Sequence, residues 1–225
     1  MKAKKAWILK TNHEKSNIYA KDVADSCDRV GMPWEYLNWY QRDPENAWKN
    51  TGIPPLGEGQ VSGSPGAQCC FSGHIAIWKK ILDSGEAGIA LEHDGMLLHK
   101  PEIDIPDGEL VVLGYKFEDI TRYDHVAAGP PNNIVDTIGG GHEGSHAYAI
   151  TPKTAGMLIE EVQNNGAKGA IDNLYFLKSR KTKIPIKIMV PTPAIGWIRD
   201  STIQAKNKSA TRNYEFVENF KKYYV

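Results

Sequence analysis

The segment that most constrains this chain is Gly88–Leu98, in which two short apolar runs enclose Glu92-His93-Asp94. The first run is too short for a helix and is typical of a buried β-strand. Side chains alternate between faces along a strand, so we expect Glu92 and Asp94 on one face and His93 on the other. Two carboxylates leaving a buried strand are costly unless a partner compensates their charge. That partner is either a hard divalent cation such as Mg²⁺ or Mn²⁺, which would bring phosphates with it, or simply solvent or an arginine.

The composition is that of a soluble globular protein. The 225 residues are 41% hydrophobic and 24% charged, and Lys plus Arg equal Asp plus Glu at 27 each. Zero net charge argues against a protein dedicated to nucleic acid, which usually carries a basic surplus. The apolar run Ala6–Leu9 is too short for a signal peptide, and no run approaches the roughly 20 apolar residues of a spanning helix. The adjacent Cys69 and Cys70 favour reduced thiols, so we expect a cytoplasmic protein without a disulfide framework.

The periodicity of apolar residues predicts an α/β fold. Strand Ala6–Leu9, helix Asn17–Val30 and strand Trp34–Trp39 open the chain in the order that favours a parallel sheet with crossover helices. The other predicted elements are helix 67–84, strand 109–114, strand 145–150, helix 152–165, a short helix from Ile171 and strand 186–190. We therefore predict one domain over residues 1–205, with a mostly parallel central sheet flanked by helices. An aromatic and charged tail, 206–225, is expected to pack on it.

Two stretches show neither the helical nor the strand periodicity of apolar residues. Gln41–Gly66 contains four prolines and five glycines, and is expected to be either a disordered insertion or a loop that faces substrate. Asp136–Gly144 is glycine-rich but lacks the Walker lysine and the Rossmann spacing. It indicates close approach of the backbone to a ligand, or a flexible flap.

Helix 67–84 carries Ser72 and His74 among apolar residues. His74 falls on the apolar stripe, where a histidine is usually a satisfied core residue. The alternative is that Ser72 and His74 orient a ligand near the start of the helix. Thr11 and Asn12, which follow the first strand, are candidates for contact with a nucleotide by their position alone.

Five short segments follow one another in a recognisable order. They are Gly66–His74 with Trp78, Leu91–Asp94, His146–Thr151, Ala170–Asp172 and Arg199–Ile203. Together they resemble the G-x-x-x-C-x-x-S-H-x-x-x-W helix, the Leu-Glu-Asp-Asp segment and the later motifs of family 25 glycosyltransferases, the lipopolysaccharide and procollagen galactosyltransferase relatives. The chain departs from that pattern at Gly73, which is inserted between Ser and His, and at His93, which replaces the middle acid.

The resemblance implies a GT-A-like, Rossmann-like fold and a glycosyltransferase that uses Mn²⁺ or Mg²⁺. The donor would be a nucleotide-sugar, of the UDP type, and a hexose such as galactose or glucose would pass to a glycan or protein hydroxyl, typically with inversion. Asp94 and Glu92 would hold the metal, which stabilises the departing diphosphate as a Lewis acid. The third ligand would be His146, His142 or water. Glu92, Ser72 and His74 would also lie beside the donor.

An inverting transfer needs a base for the acceptor hydroxyl. The resemblance makes Asp172 the first candidate, although Asp172 is equally suited to cap a helix. Asp200 is a weaker alternative. Two other functions stay open. One is a zinc hydrolase built on His93, Asp94, His142 and His146. The other is a degenerate module that binds a nucleotide-sugar without turning it over.

Overall fold

The structure, a computed structural model, describes residues 1–115, 129–136, 145–172 and 182–196. The strands in these ranges are β1 (Lys5–Thr11), β2 (Trp34–Trp39), β3 (Val61–Ser62), β4 (Gly88–Glu92), β5 (Gly95–Leu97), β6 (Leu110–Val112), β7 (Gly114–Tyr115), β8 (Asn133–Asp136), β9 (Ala147–Ile150), β10 (Ala167–Lys168), β11 (Ile186–Val190) and β12 (Ala194–Gly196). The helices are α1 (Glu14–Arg29), α2 (Pro44–Lys49), α3 (Pro65–Ser84) and α4 (Pro152–Asn165).

A seven-stranded sheet in the order β2-β1-β4-β9-β6-β11-β8 forms the centre of the fold. Strand β1 pairs in parallel with β2 and β4, and β6 pairs in parallel with β11. Strand β9 runs antiparallel to both β4 and β6, and β8 runs antiparallel to β11. Five of the seven strands therefore point the same way, which confirms the predicted α/β fold with a mostly parallel sheet.

The helices begin and end at residues whose chemistry favours a cap. Ser64 accepts a hydrogen bond from the Ala67 amide at the start of α3, and Gly85 ends that helix with a φ of 69°. Thr151 caps α4 in the same way, with Pro152 in the first turn. A serine or threonine side chain satisfies an amide that has no partner within the helix, and glycine adopts positive φ without strain. These local signals explain why both helices lie close to their predicted positions.

Two apolar cores lie on opposite faces of the sheet. Trp7 and Leu9 of β1 join the core formed with α3 and α4, and Ile8 joins the core formed with α1. The alternation is that expected for a central strand covered on both sides. The sheet therefore lies between two helical layers, and the carboxyl ends of its parallel strands remain at one edge.

The structure corrects three predicted elements. The segment Gln41–Gly66 is not wholly irregular, because it contains α2 and also β3, which pairs with β10. The strand predicted at 109–114 divides into β6 and β7, and β7 belongs to a second sheet of order β5-β12-β7. Strand β4 ends at Glu92, and a turn separates it from β5.

Some predictions lie outside the described residues, namely the tail 206–225, the boundary at 205 and most of the glycine-rich stretch. In the part of the chain that the structure describes, no helix combines the length and apolar character needed to cross a bilayer.

Candidate active site

A cleft opens at the carboxyl ends of β1, β2 and β4. Its lining is partly aromatic and partly polar. The lining residues are Leu9, Thr11, Trp39, Tyr40, Gln41, Gly66, Cys69, Cys70, Glu92 and His93. Ligands of open α/β sheets bind at this edge, beyond the carboxyl ends of the strands. The cleft is therefore the candidate active site.

Glu92, the last residue of β4, is fixed in the cleft by two side-chain donors. His74 Nε2 lies 3.2 Å from Glu92 Oε1, and the Ser145 hydroxyl donates to the same oxygen. The backbone amide of Glu92 also donates to the His146 carbonyl, at 2.9 Å. Both side-chain donors contact Oε1, so among the described residues none donates to Oε2. One oxygen of this carboxylate thus holds its orientation while the other is available to a ligand.

His74 is itself held by a chain of buried groups. The Tyr148 hydroxyl lies 2.8 Å from His74 Nδ1, and Trp78 Nε1 donates to that hydroxyl at 2.7 Å. Because an indole N–H can only donate, Tyr148 accepts it and can donate its own hydrogen to Nδ1. His74 Nε2 then carries the proton that bonds Glu92, an assignment that satisfies all four groups. His74 is fully buried, as the sequence allowed for a core histidine.

This surrounding keeps Glu92 ionised. Burial alone would raise the pKa of the Glu92 carboxyl. The hydrogen bonds that His74 and Ser145 donate to the carboxylate outweigh burial and hold that pKa well below its usual range. A carboxylate that accepts hydrogen bonds in its charged form is stabilised in that form. Glu92 is therefore an anion in the cleft at any physiological pH.

Negative charge converges on Cys70, one helical turn before His74. Burial raises the pKa of the Cys70 thiol, and the charges of Glu92, Asp172 and Asp94 raise it further. Asp94 Oδ1 is buried, and among the described residues it has no hydrogen-bond partner. A buried carboxylate oxygen without a partner is unfavourable and marks a site that a ligand can complete. Three predicted site residues, Glu92, Asp94 and Asp172, thus act on one thiol.

The strand alternation predicted for Glu92-His93-Asp94 is wrong. Because β4 ends at Glu92, Asp94 lies in the turn that follows and not two places along a strand. His93 lines the cleft beside Glu92 instead of facing away from it. Its ring stacks with that of Tyr19, with 6.0 Å between centroids.

His146 is positioned by backbone pairing and close packing. It is 2% exposed, and its ring lies against Gly196, where an added Cβ would be 3.0 Å from ring atoms. Among the described His, Cys, Asp and Glu side chains, the one group with three ligand atoms close together is Cys70, His74 and Glu92. The predicted set of Asp94, Glu92 and His146 does not form such a group.

The residues predicted to contact a donor fall in different places. Thr11 lines the cleft, and Asn12 lies in a neighbouring depression that shares Trp39, Tyr40 and Gln41 with it. Ser72 is fully buried, accepts from Trp39 Nε1 at 2.9 Å and donates to the Cys69 carbonyl. Ser72 therefore supports a residue of the cleft wall and does not reach the cleft itself.

Asp172 is half-buried at the end of a described stretch. The other candidate base, Asp200, and the candidate ligand His142 lie outside the described residues.

Several cleft residues were not predicted from the sequence. Trp39 ends β2, and Tyr40 and Gln41 follow it. Their signal was their place at the end of a strand parallel to β1. Gly73 also has a role, because a Cβ there would lie 2.7 Å from Leu9 Cδ1 and 3.1 Å from Trp39 Cδ1. The inserted glycine thus lets α3 approach the strands that form the cleft wall.

Comparison with known proteins identifies no family. The chain matches no family model, and no curated protein matches it in sequence. A solved structure described as a glycosyltransferase involved in the glycosylation of the major capsid of PBCV-1 matches with 14% identity and a TM-score of 0.33. The match covers 70% of this chain and 66% of that one, so the chain spans about two thirds of the length of its neighbour. A similarity at this level establishes neither a family nor an activity.

Proposed function

We propose that this protein is a glycosyltransferase that moves a hexose from a nucleotide-sugar to a hydroxyl of a glycan or protein. The observation that carries the proposal is the pair of acids at the end of β4. Glu92 is held ionised in a cleft with one oxygen available, and Asp94, in the turn that follows β4, has a buried oxygen without a hydrogen-bond partner among the described residues. Anionic oxygens of this kind are the ligands that Mg²⁺ and Mn²⁺ prefer. The acids therefore fit the metal that such a reaction uses.

In this proposal the metal, when bound by Glu92 and Asp94, supplies Lewis-acid stabilisation of the departing diphosphate. The nucleoside would lie along the ends of β1 and β2. There Trp39 and Tyr40 offer aromatic faces, and Thr11 and Gln41 offer hydrogen-bonding groups. Aromatic rings stack with any nucleobase, and the polar groups fix the orientation of the nucleoside.

Asp172 is the proposed base. Its charge acts on Cys70 together with those of Glu92 and Asp94, so it belongs to the same side of the molecule. A carboxylate near the acceptor hydroxyl can take its proton as the new glycosidic bond forms. Inversion, the identity of the hexose and the GT-A-like assignment belong to this proposal as well.

Donor binding is tested by thermal unfolding with UDP, UDP-glucose or UDP-galactose, each with and without Mn²⁺. A ligand at a hundred times its Kd adds about 2.7 kcal/mol, which in a chain of this size raises Tm by roughly 5–10 °C. Asp94→Asn should remove the Mn²⁺-dependent part of the shift. The control Asp83→Asn, at an exposed position on α3, should retain it. No shift with any donor, or an unchanged shift in Asp94→Asn, would contradict the proposal.

Turnover is tested separately by release of UDP from the donor that binds. Asp172→Asn should keep the thermal shift and lose transfer by about 10²–10⁴-fold, the usual contribution of a general base. A wild-type chain that binds donor and never releases UDP would instead support the degenerate binding module.

A further inference from the structure

Cys70, His74 and Glu92 form a compact group of unlike ligand atoms. A sulfur, a ring nitrogen and a carboxylate oxygen of these residues all lie within 4.8 Å of one another. Cys70 and His74 are four residues apart on α3, so they share one face of the helix. Glu92 reaches them from the end of β4. Two rigid elements, and not a loop, thus set the positions of all three side chains.

The group is accessible from solvent on one side and supported on the other. Cys70 and Glu92 line the cleft, whereas His74 is buried beneath them. Tyr148 contacts His74 Nδ1 and Ser145 contacts Glu92 Oε1. Such outer contacts orient metal ligands and are typical of metal sites in proteins.

The donor chemistry differs from that of the acidic pair. Thiolate, imidazole and carboxylate are together the ligands of Zn²⁺, which often takes three protein ligands and keeps a fourth position open. Mg²⁺ and Mn²⁺ favour carboxylate, carbonyl and water oxygens. We propose that Cys70, His74 and Glu92 form a second metal site, selective for a thiophilic divalent cation such as Zn²⁺. This site does not depend on the proposed function.

Binding requires a definite movement of protons. Glu92 binds the metal as a carboxylate, and the Cys70 thiol loses its proton to solvent as sulfur bonds the metal. His74 offers the lone pair of Nε2, so its proton moves to Nδ1. The Tyr148 hydroxyl then accepts from Nδ1 as well as from Trp78 Nε1, and it turns its own hydrogen away from His74. One proton is released for each ion bound, and the two anionic ligands neutralise the charge of the ion.

The two metal sites share Glu92. Zn²⁺ bound by Cys70, His74 and Glu92 makes that carboxylate unavailable to a metal at Asp94. Zn²⁺ would then compete with Mn²⁺ and nucleotide for the protein. Competition of this kind distinguishes the second site from an unrelated surface site.

The test uses the full chain with Co²⁺ as the probe, followed by displacement with Zn²⁺. A cobalt ion bound by sulfur gives a thiolate-to-metal charge-transfer band, and we expect this band in the wild type. Cys70→Ser should abolish the band and weaken Zn²⁺ binding by more than the roughly 10–100-fold that loss of an outer-shell partner costs. Tyr148→Phe should keep the band and weaken binding within that range.

Cys27→Ala is the matched control, because Cys27 is buried in the core on the other face of the sheet. It should leave both the band and the Zn²⁺ affinity unchanged. Absence of the band in the wild type, its persistence in Cys70→Ser, or its loss in Cys69→Ala alone would overturn the proposal. If the wild-type chain shows the cobalt band but binds no nucleotide, the proposed function is contradicted and the second metal site is supported.

Discussion

Two clusters of charge lie on the central sheet, and they differ in almost every physical respect. The Glu92 cluster (Glu92, His74 and Ser145) stands at the end of the central strand β4, with His74 fully buried. The Lys187 cluster (Lys187, Asp136 and Glu109) joins β11 to the edge strand β8, where the Asp136 side chain is 88% exposed. In both clusters a carboxylate contacts a nitrogen donor. Only the buried cluster holds its groups by contacts to several other elements, so only there is the orientation of an acid fixed.

The comparison shows why an ion pair alone is a poor guide to function. Exposed pairs are screened by salt and add little to stability. A buried acid must instead be compensated by specific donors, and removing one of them leaves an uncompensated charge. Four measurements test whether the two clusters differ in this way.

The largest effect should follow from His74→Ala. The substitution removes the main partner of Glu92 and leaves a cavity in the core, so we expect a loss of roughly 3–5 kcal/mol in the free energy of unfolding. Denaturant titration measures it. If His74→Ala unfolds at the same denaturant midpoint as the wild type, the Glu92 cluster stabilises the fold no more than an exposed ion pair does.

A smaller loss should follow from Tyr148→Phe. The change keeps the ring and removes only the hydroxyl, which leaves Trp78 Nε1 without its acceptor and His74 Nδ1 without its donor. A buried polar group that loses its partner costs about 1–3 kcal/mol. The control Tyr36→Phe removes a half-buried hydroxyl whose bond to the Ala20 carbonyl is long, at 3.4 Å. Equal losses in the two variants would argue against a special role for the buried chain.

The third measurement is the pH dependence of stability. The pKa of Glu92 in the folded chain lies below its ordinary value of 4.5. Its contribution is therefore complete above about pH 4.5 and is lost as the pH falls through the folded pKa. The stability difference between wild type and Glu92→Gln should be constant from neutral pH down to this point and shrink below it. If the stability difference between wild type and Glu92→Gln instead grows as the pH falls, the pKa of Glu92 is not lowered by folding.

The smallest effect should come from Lys187→Ala. Asp136 raises the pKa of Lys187 through a hydrogen bond, yet the pair faces solvent. We expect little change in Tm, and the remaining difference should vanish in high salt. A large change in Tm that salt does not reduce would mean that the Lys187 cluster stabilises the fold as a buried cluster does.

The fold was largely predictable because its signals are local. β2 and β11 have the bounds that their apolar runs predicted, and the caps at Ser64 and Thr151 place two helices. The helix α2 was missed because its six residues are too few to show a period. Asp43 before Pro44 was nevertheless a usable start signal.

The site was only partly predictable because it depends on contacts between distant residues. Glu92 was identified at its strand end, but its donor Ser145 is 53 positions away, and the Tyr148 that holds His74 is 74 positions from it. No periodicity in a single sequence reports such pairs. The sequence therefore left His74 open between a core residue and a ligand-orienting one, and the structure places it in contact with both the core and Glu92.

The reversed direction of β9 has a consequence for folding kinetics. Because β9 runs against β4, it delivers Ser145 and Tyr148 to Glu92 and His74 only when it inserts between β4 and β6. Contacts that close long loops are slow to form. We expect the acid to acquire its depressed pKa late in refolding, so that a partly folded chain carries an ordinary carboxyl there. During refolding, binding of a ligand at Glu92 would then show that β9 has joined the sheet.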